Sequence, residues 1–100
     1  MLMINTDEYI ARKINDKYLF LEFSNGDSHI LDETGTIFFD AYFDAKGDID
    51  KAAAVIAGSF SNPPQQNEVQ KDLNDFINRL IEKSILIEEK DNVSRNSKVI

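Results

Sequence analysis

The clearest pattern along the chain is a pair of short apolar runs that a polar turn separates. Residues 18–23 and 28–31 are rich in β-branched, aromatic and leucine side chains, and residues 24–27 read SNGD. Asn-Gly between two such runs is typical of a two-residue type I′ turn, because both central residues of that turn need a positive φ. The pattern therefore predicts a β-hairpin centred on Asn25 and Gly26.

A two-residue turn fixes the register of this hairpin. In that register Glu22 faces His29, Leu21 faces Ile30 and Phe20 faces Leu31. Backbone groups of the second hairpin strand alternate between the partner strand and the open side. In this register the groups on the open side belong to Ser28, Ile30 and Asp32.

Two questions about this sheet stay open in the sequence. Residues 9–14 predict a strand that precedes the hairpin and ends at a turn at Asn15-Asp16. The last hairpin strand is then either a free edge or is paired with this first strand or with a short strand near Ile85. Both hairpin faces carry apolar residues, so one is core and the other is covered or used for binding.

Three helices are predicted after the hairpin. Residues 33–43 carry an apolar run behind a capping carboxylate at Asp32, and residues 49–60 contain AAAVIA behind a cap at Asp48. Residues 65–83 predict the longest helix. Three strands followed by three helices predict an α+β fold, with the helices on one face of a small antiparallel sheet.

The longest predicted helix carries a wide apolar stripe. Its members recur at the three- and four-residue spacing of one helix face: Val69, Leu73, Phe76, Ile77, Leu80 and Ile81. Most of the stripe is expected to be core, while Phe76 and Ile77 border a groove beside the sheet edge. Residues 84–87 predict a short final strand, and the polar, aperiodic residues 88–100 predict a disordered tail.

Composition and charge narrow the classes of function. Lys and Arg number 11 against 18 Asp and Glu, and the net charge of −7 opposes binding to a phosphate backbone. Such a charge fits a basic peptide or a basic patch on a partner, or it serves solubility alone. The chain has no cysteine, no signal-peptide pattern and no apolar run long enough to span a membrane. We therefore expect a cytoplasmic protein without disulfides.

No pattern in the sequence predicts catalysis, a metal or a cofactor. His29 is the single histidine, and a cross-strand contact with Glu22 explains it more simply than a catalytic role. The carboxylates of residues 44–50 lack the ligand spacing of an EF-hand, and nothing completes a metal site around Asp72 and Asp75. These absences favour a binding module over an enzyme.

Three segments in order resemble the PqqD family. Residues 30–38 (ILDETGTIF) resemble the family's "LNETAAxI" hallmark, and residues 48–53 (DIDKAA) resemble its "tveeia" helix start. Residues 64–86 are similar to its "p.ev..Dv..Fl..L...gLl" pattern. The chain departs from the family pattern at Asp32, Gly35, Thr36 and Ser84.

The resemblance implies a winged-helix-like domain over residues 9–87, after a segment at 1–8. PqqD proteins are peptide chaperones in pyrroloquinoline quinone biosynthesis, and the same domain recognises peptides in many ribosomal peptide-modification systems. It implies that the leader of a precursor peptide is added beside strand three, against helix three, and is presented to a modifying enzyme, often a radical SAM protein. The implied peptide-binding residues are Ser28, His29, Ile30, Leu31, Asp32, Leu73, Phe76, Ile77 and Leu80.

Two other interpretations of the same outline stay open. A winged-helix DNA-binding regulator shares it, but the third helix offers only Lys71, Arg79 and Lys83 as cations among several carboxylates. A structural adaptor would instead use the sheet edge to pair with a second copy as a homodimer.

Overall fold

The computed structural model describes residues 2–62 and 64–88. Its elements are β1 (Leu2–Ile4), β2 (Tyr9–Ile14), β3 (Lys17–Glu22), β4 (Ser28–Ile30), α1 (Glu33–Asp44), α2 (Ile49–Gly58), α3 (Gln66–Glu82) and β5 (Leu86–Glu88). The strands β2, β3 and β4 form a three-stranded antiparallel sheet in that order. Together with the three helices, this sheet confirms the predicted α+β, winged-helix-like fold. No helix in the described part of the chain is long and apolar enough to cross a bilayer.

A second, two-stranded sheet joins the two ends of the described chain. Leu2 lies opposite Glu88 and Ile4 lies opposite Leu86 in the antiparallel pair β1–β5. Asn5, which is buried, donates its backbone N–H to the carbonyl of Ile85 at 2.8 Å. The segment predicted at 1–8 thus pairs with part of the predicted final strand and with Glu88. Residues 89–100 of the predicted tail lie outside the described residues.

The β3–β4 turn differs from the predicted two-residue turn. Phe20 lies opposite His29 and Leu21 lies opposite Ser28, so the register is shifted by two residues and Glu22 no longer faces His29. The loop therefore has four residues, 23–26, and Gly26 donates its N–H to the carbonyl of Glu22 at 3.0 Å. Longer hairpin loops of this kind need a positive φ at only one position, and Gly26 supplies it at 74°.

The two-residue turn lies instead between β2 and β3. Asn15 and Asp16 both have a positive φ, at 51° and 62°, and they connect the paired residues Ile14 and Lys17. Asn and Asp tolerate this left-handed conformation better than other residues with a side chain. The type I′ geometry expected from Asn25-Gly26 is thus found one hairpin earlier.

The shift by two residues leaves the outward backbone groups of β4 unchanged. Glu22 donates to the carbonyl of Asp27 at 2.8 Å, and Leu31 donates to the carbonyl of Tyr18 at 2.9 Å. Odd-numbered residues therefore face β3, and the N–H and C=O groups of Ser28 and Ile30 point to the open side. The carbonyl of Asp32 does not join them, because it accepts the N–H of Thr36 at the start of α1.

β4 is an edge strand that pairs only with β3 in the described part of the chain. Neither rival for the edge occupies it, since β2 lies on the far side of β3 and β5 pairs with β1. This answers the first question that the sequence left open.

The helices cover the sheet face that carries Tyr9 and Phe20. Phe20 is fully buried, with its ring centroid 5.6 Å from that of Phe39 in α1 and 6.1 Å from that of Tyr18. The opposite face remains open: Ile14 is 53% exposed and Ile30 is 68% exposed. The core therefore lies on one side of the sheet only.

The helices α1 and α2 begin where the sequence predicts, and α3 begins one residue later than predicted. The Asp32 carboxylate accepts the N–H of Gly35 at 2.7 Å, and the Asp48 carboxylate accepts the N–H of Lys51 at 3.2 Å. Each side chain satisfies a donor that the first helical turn leaves free. The Asp32 cap fixes where α1 departs from β4, and this corner shapes the site described next.

Candidate functional site

A groove runs between the edge of β4, the start of α1 and one side of α3. Its volume is about 410 Å³. It is lined by Ile30, Leu31, Asp32, Thr34, Gly35, Phe38, Asp72, Phe76 and Arg79. The outward backbone groups of Ile30 therefore lie beside a cavity with apolar and charged walls.

A glycine allows the helices to approach closely at the groove. A Cβ at Gly35 would lie 3.2 Å from the Asp32 carboxylate and 3.4 Å from the ring of Phe76. The Phe76 ring packs edge-on against Phe38, with ring centroids 5.7 Å apart. A side chain at position 35 would push against the cap of α1 and against this aromatic pair, so the missing side chain helps set the groove's shape.

The α3 wall of the groove is made by residues that each precede a core residue. Asp72, Phe76 and Arg79 line the groove, and the residues that follow them are buried. Those residues, Leu73, Ile77 and Leu80, are 0%, 5% and 4% exposed. They were predicted to receive the peptide's side chains, but the structure places them in the core, where they support the wall from behind.

The predicted site is thus partly assembled in the groove. Ile30, Leu31, Asp32 and Phe76 line it together. Sequence reasoning missed Thr34, Gly35, Phe38, Asp72 and Arg79. The spacings of four and three residues between Asp72, Phe76 and Arg79 were a usable signal, because they mark a helix face beside the core stripe.

Ser28 and His29 lie outside the groove, at the start of β4, whereas the groove lies at the end of this strand. The side chain of Ser28 is exposed on the open face of the sheet, while that of His29 is partly buried on the helix side. The His29 ring contacts the Tyr9 ring edge-on, with centroids 5.9 Å apart. The His29 Nε2 lies 3.9 Å from Oε1 of Glu22, so the predicted His29–Glu22 contact exists as a diagonal pair.

The Tyr9 hydroxyl ties this end of the sheet to the end of α3. It lies 2.7 Å from the Lys83 carbonyl and 3.0 Å from Oε1 of Glu22. The pKa of the Glu22 carboxyl is lowered, chiefly by the hydroxyl of Ser24 and then by that of Tyr9. The network holds α3 against the sheet, which is a structural role.

Residues 2–62 and 64–88 contain no cluster of His, Asp and Glu that could hold a metal ion.

These contacts also establish that α3 runs antiparallel to β4. Phe76 approaches Gly35, just past the end of β4, whereas Lys83 lies over Tyr9, beside His29. Moving along α3 from Asp72 to Arg79 therefore means moving from the Asp32 end of the groove towards the His29 end.

The Tyr9 hydroxyl gives the protein a pH dependence that can be measured. Burial, followed by the hydrogen bond to Glu22, raises the pKa of Tyr9 from 10.0 to about 12. Below pH 10 the phenol is neutral in both states, but between these two values the unfolded chain loses the proton first. We expect the free energy of unfolding to decrease as the pH rises through this window.

Urea denaturation at about pH 9 and about pH 11 checks this expectation by comparison with Tyr9→Phe. Tyr18, whose pKa burial also raises to about 12, is present in both proteins, so the difference between their two losses of stability isolates Tyr9. The variant should lose less stability than the wild type. Equal losses would contradict the role assigned to the hydroxyl.

Comparison with known proteins identifies one informative likeness. A solved structure described as TbiB1 in complex with the TbiA(beta) leader peptide matches with a TM-score of 0.69 and 24% identity. The match covers 89% of this chain and 100% of the other. At this level of identity the likeness establishes a shared fold. No family model matches the chain, and no curated protein matches it.

Proposed function

We propose that this protein binds the leader segment of a ribosomally made precursor peptide and presents it to a modifying enzyme in the cytoplasm. The leader would add a strand to the open edge of β4, with alternate side chains in the groove against α3. The single observation that carries the proposal is the outward backbone ladder of Ser28 and Ile30 beside this groove. The shared fold with a protein solved in complex with a leader peptide supports it.

The two parts of the site would contribute differently to binding. A backbone hydrogen bond contributes about 0.5–1.5 kcal/mol net, while burial of one apolar side chain contributes about 1.5–3 kcal/mol. The ladder would therefore set the register and direction of the peptide. The apolar wall of Phe38, Phe76 and Leu31 would supply most of the affinity.

The proposed role needs no chemistry from the domain itself. His29 on β4 lies beside Glu22 on β3, and Glu22 also accepts a hydrogen bond from the Tyr9 hydroxyl. The modification would belong to a separate enzyme, which the PqqD resemblance implies is often a radical SAM protein. The open face of the sheet, opposite the helices, would stay accessible while the peptide is bound.

Calorimetric titration with the leader peptide encoded beside this gene tests the proposal. Binding should be about micromolar or tighter, which corresponds to about 8 kcal/mol. Amide shifts should concentrate on residues 28–32 and on the groove side of α3. Shifts confined to β2 or α2 would contradict the site, and a salt-sensitive gel shift on duplex DNA would instead favour the DNA-binding regulator.

The variant Phe76→Ala tests the apolar wall. Removing this partly buried ring deletes the main apolar surface of α3 in the groove, so we expect the peptide's dissociation constant to rise by about tenfold or more. Ile81→Ala is a matched control, because Ile81 is an α3 residue that is 41% exposed and does not line the groove. Equal effects of the two variants on peptide binding would place the peptide elsewhere.

A further inference from the structure

The α3 wall of the groove carries opposite charges at its two ends. Asp72 lies one turn before Phe76, and Arg79 lies about one turn after it. Because α3 runs antiparallel to β4, Asp72 is at the end of the groove where Asp32 caps α1. Arg79 is at the end nearer His29, so the groove is negative at one end and positive at the other.

Within residues 2–62 and 64–88, neither Asp72 nor Arg79 lies within ion-pair distance of an opposite charge. The ion pairs within residues 2–62 and 64–88 join Lys13 to Asp40 and His29 to Glu22. The start of α1 adds a partial charge of about +0.5 beside Asp32, but two full carboxylates outweigh it. Both ends of the groove can therefore select a charge on a ligand.

The spacing of these charges matches an extended peptide. Arg79 lies seven positions after Asp72, which is about 10 Å along α3. An added strand rises about 3.3 Å per residue, so its residues i and i+4 lie about 13 Å apart and point to the same side. A long side chain at each of these positions spans the small difference, and residue i+2 faces Phe38 and Phe76 between them.

We propose that the groove selects a segment with a cationic residue at i, an apolar residue at i+2 and an anionic residue at i+4. The cation pairs with Asp72 and Asp32, and the anion pairs with Arg79. Antiparallel pairing is the more stable arrangement and continues the existing sheet, so the cation comes first in the peptide. This inference rests on the proposed peptide binding at β4 and specifies the class of peptide that binds there.

Selection from a display library of random peptides, about twelve residues long, tests the charge order. Enriched peptides should carry Lys or Arg two positions before an apolar residue and Asp or Glu two positions after it. The double variant Asp72→Lys/Arg79→Glu should enrich the reversed order. As a matched control, Lys71→Asp/Asp75→Lys exchanges two exposed charges of α3 outside the groove and should keep the original order.

A binding measurement supports the selection with an independent readout. For an enriched peptide, Arg79→Glu should raise the dissociation constant about fivefold, and replacing the peptide's anionic residue by lysine should restore binding. Circular dichroism verifies that each variant is folded. Peptides enriched by the wild type without this charge order, or the same order enriched by Asp72→Lys/Arg79→Glu, would overturn the inference. The variant Ile30→Pro, which lacks the outward N–H of β4, serves as the reference in the same selection. If the wild type enriches no peptide beyond those that this variant enriches, the proposed function itself fails.

Discussion

Proline in place of Ile30 is expected to weaken peptide binding about 5- to 150-fold while the domain stays folded. The N–H of Ile30 points away from β3, and proline removes this donor and sets its ring against an incoming strand. A peptide carbonyl left unpaired in the complex costs about 1–3 kcal/mol, which gives this range. Proline is tolerated on an edge strand when its nitrogen faces outward. Calorimetry with the leader peptide measures the effect.

The other edge of the same sheet provides a matched control. Phe23 donates to the carbonyl of Glu8, so the alternation along β2 turns the N–H of Lys13 to the outside. Lys13→Pro therefore removes an equivalent outward donor, together with an exposed ion pair to Asp40. It should leave peptide binding nearly unchanged. If Lys13→Pro weakens binding and Ile30→Pro does not, the peptide uses β2.

Phe20→Ala is expected to lower the free energy of unfolding by about 3–5 kcal/mol. The ring of Phe20 is fully buried between the sheet and α1, in contact with Tyr18 and Phe39, and alanine would leave a cavity there. A domain of this size has a total stability of about 5–15 kcal/mol, so the loss is a large part of it. Urea denaturation measures the change.

The neighbouring residue in β3 distinguishes the two faces of the sheet. Leu21 is 38% exposed on the open face, and Leu21→Ala should cost less than about 1 kcal/mol. Similar losses for Phe20→Ala and Leu21→Ala would mean that both faces are packed. That result would contradict a core confined to the helix side.

The helices were predictable because their signals are local. The caps at Asp32 and Asp48 form as expected, and the stripe of Val69, Leu73 and Leu80 is buried. A cap or an apolar stripe depends on residues within one or two turns of the same helix. Such signals leave little freedom for the rest of the fold to change the outcome.

The prediction of a two-residue hairpin turn was wrong because the dipeptide Asn25-Gly26 does not by itself determine the length of the loop. In the four-residue loop, the Asn25 side chain accepts the N–H of Asp27 at 2.9 Å, and only Gly26 needs a positive φ. The same dipeptide thus satisfies a short or a longer loop. Both registers keep Phe20 on the same face of the sheet, so the apolar pattern does not decide between them. A shift of two residues, however, preserves which backbone groups face outward.

The sequence predicted the β4 edge of the candidate groove, but of its α3 wall it predicted only Phe76. The apolar stripe showed which residues of α3 are hydrophobic, and the deepest of them, including Leu73 and Leu80, became core. A groove wall needs side chains at the border of such a stripe, where polar residues such as Asp72 and Arg79 belong as well. Which border faces the sheet edge depends on how α3 is rotated on the core, and that is a tertiary property.

Amide hydrogen exchange with and without the leader peptide tests the central claim most directly. If the peptide adds a strand to β4, exchange at the N–H groups of Ser28 and Ile30 slows on binding, while exchange at Ala11 and Lys13 on the β2 edge does not change. Slowed exchange at Ala11 and Lys13, with Ser28 and Ile30 unaffected, would contradict it.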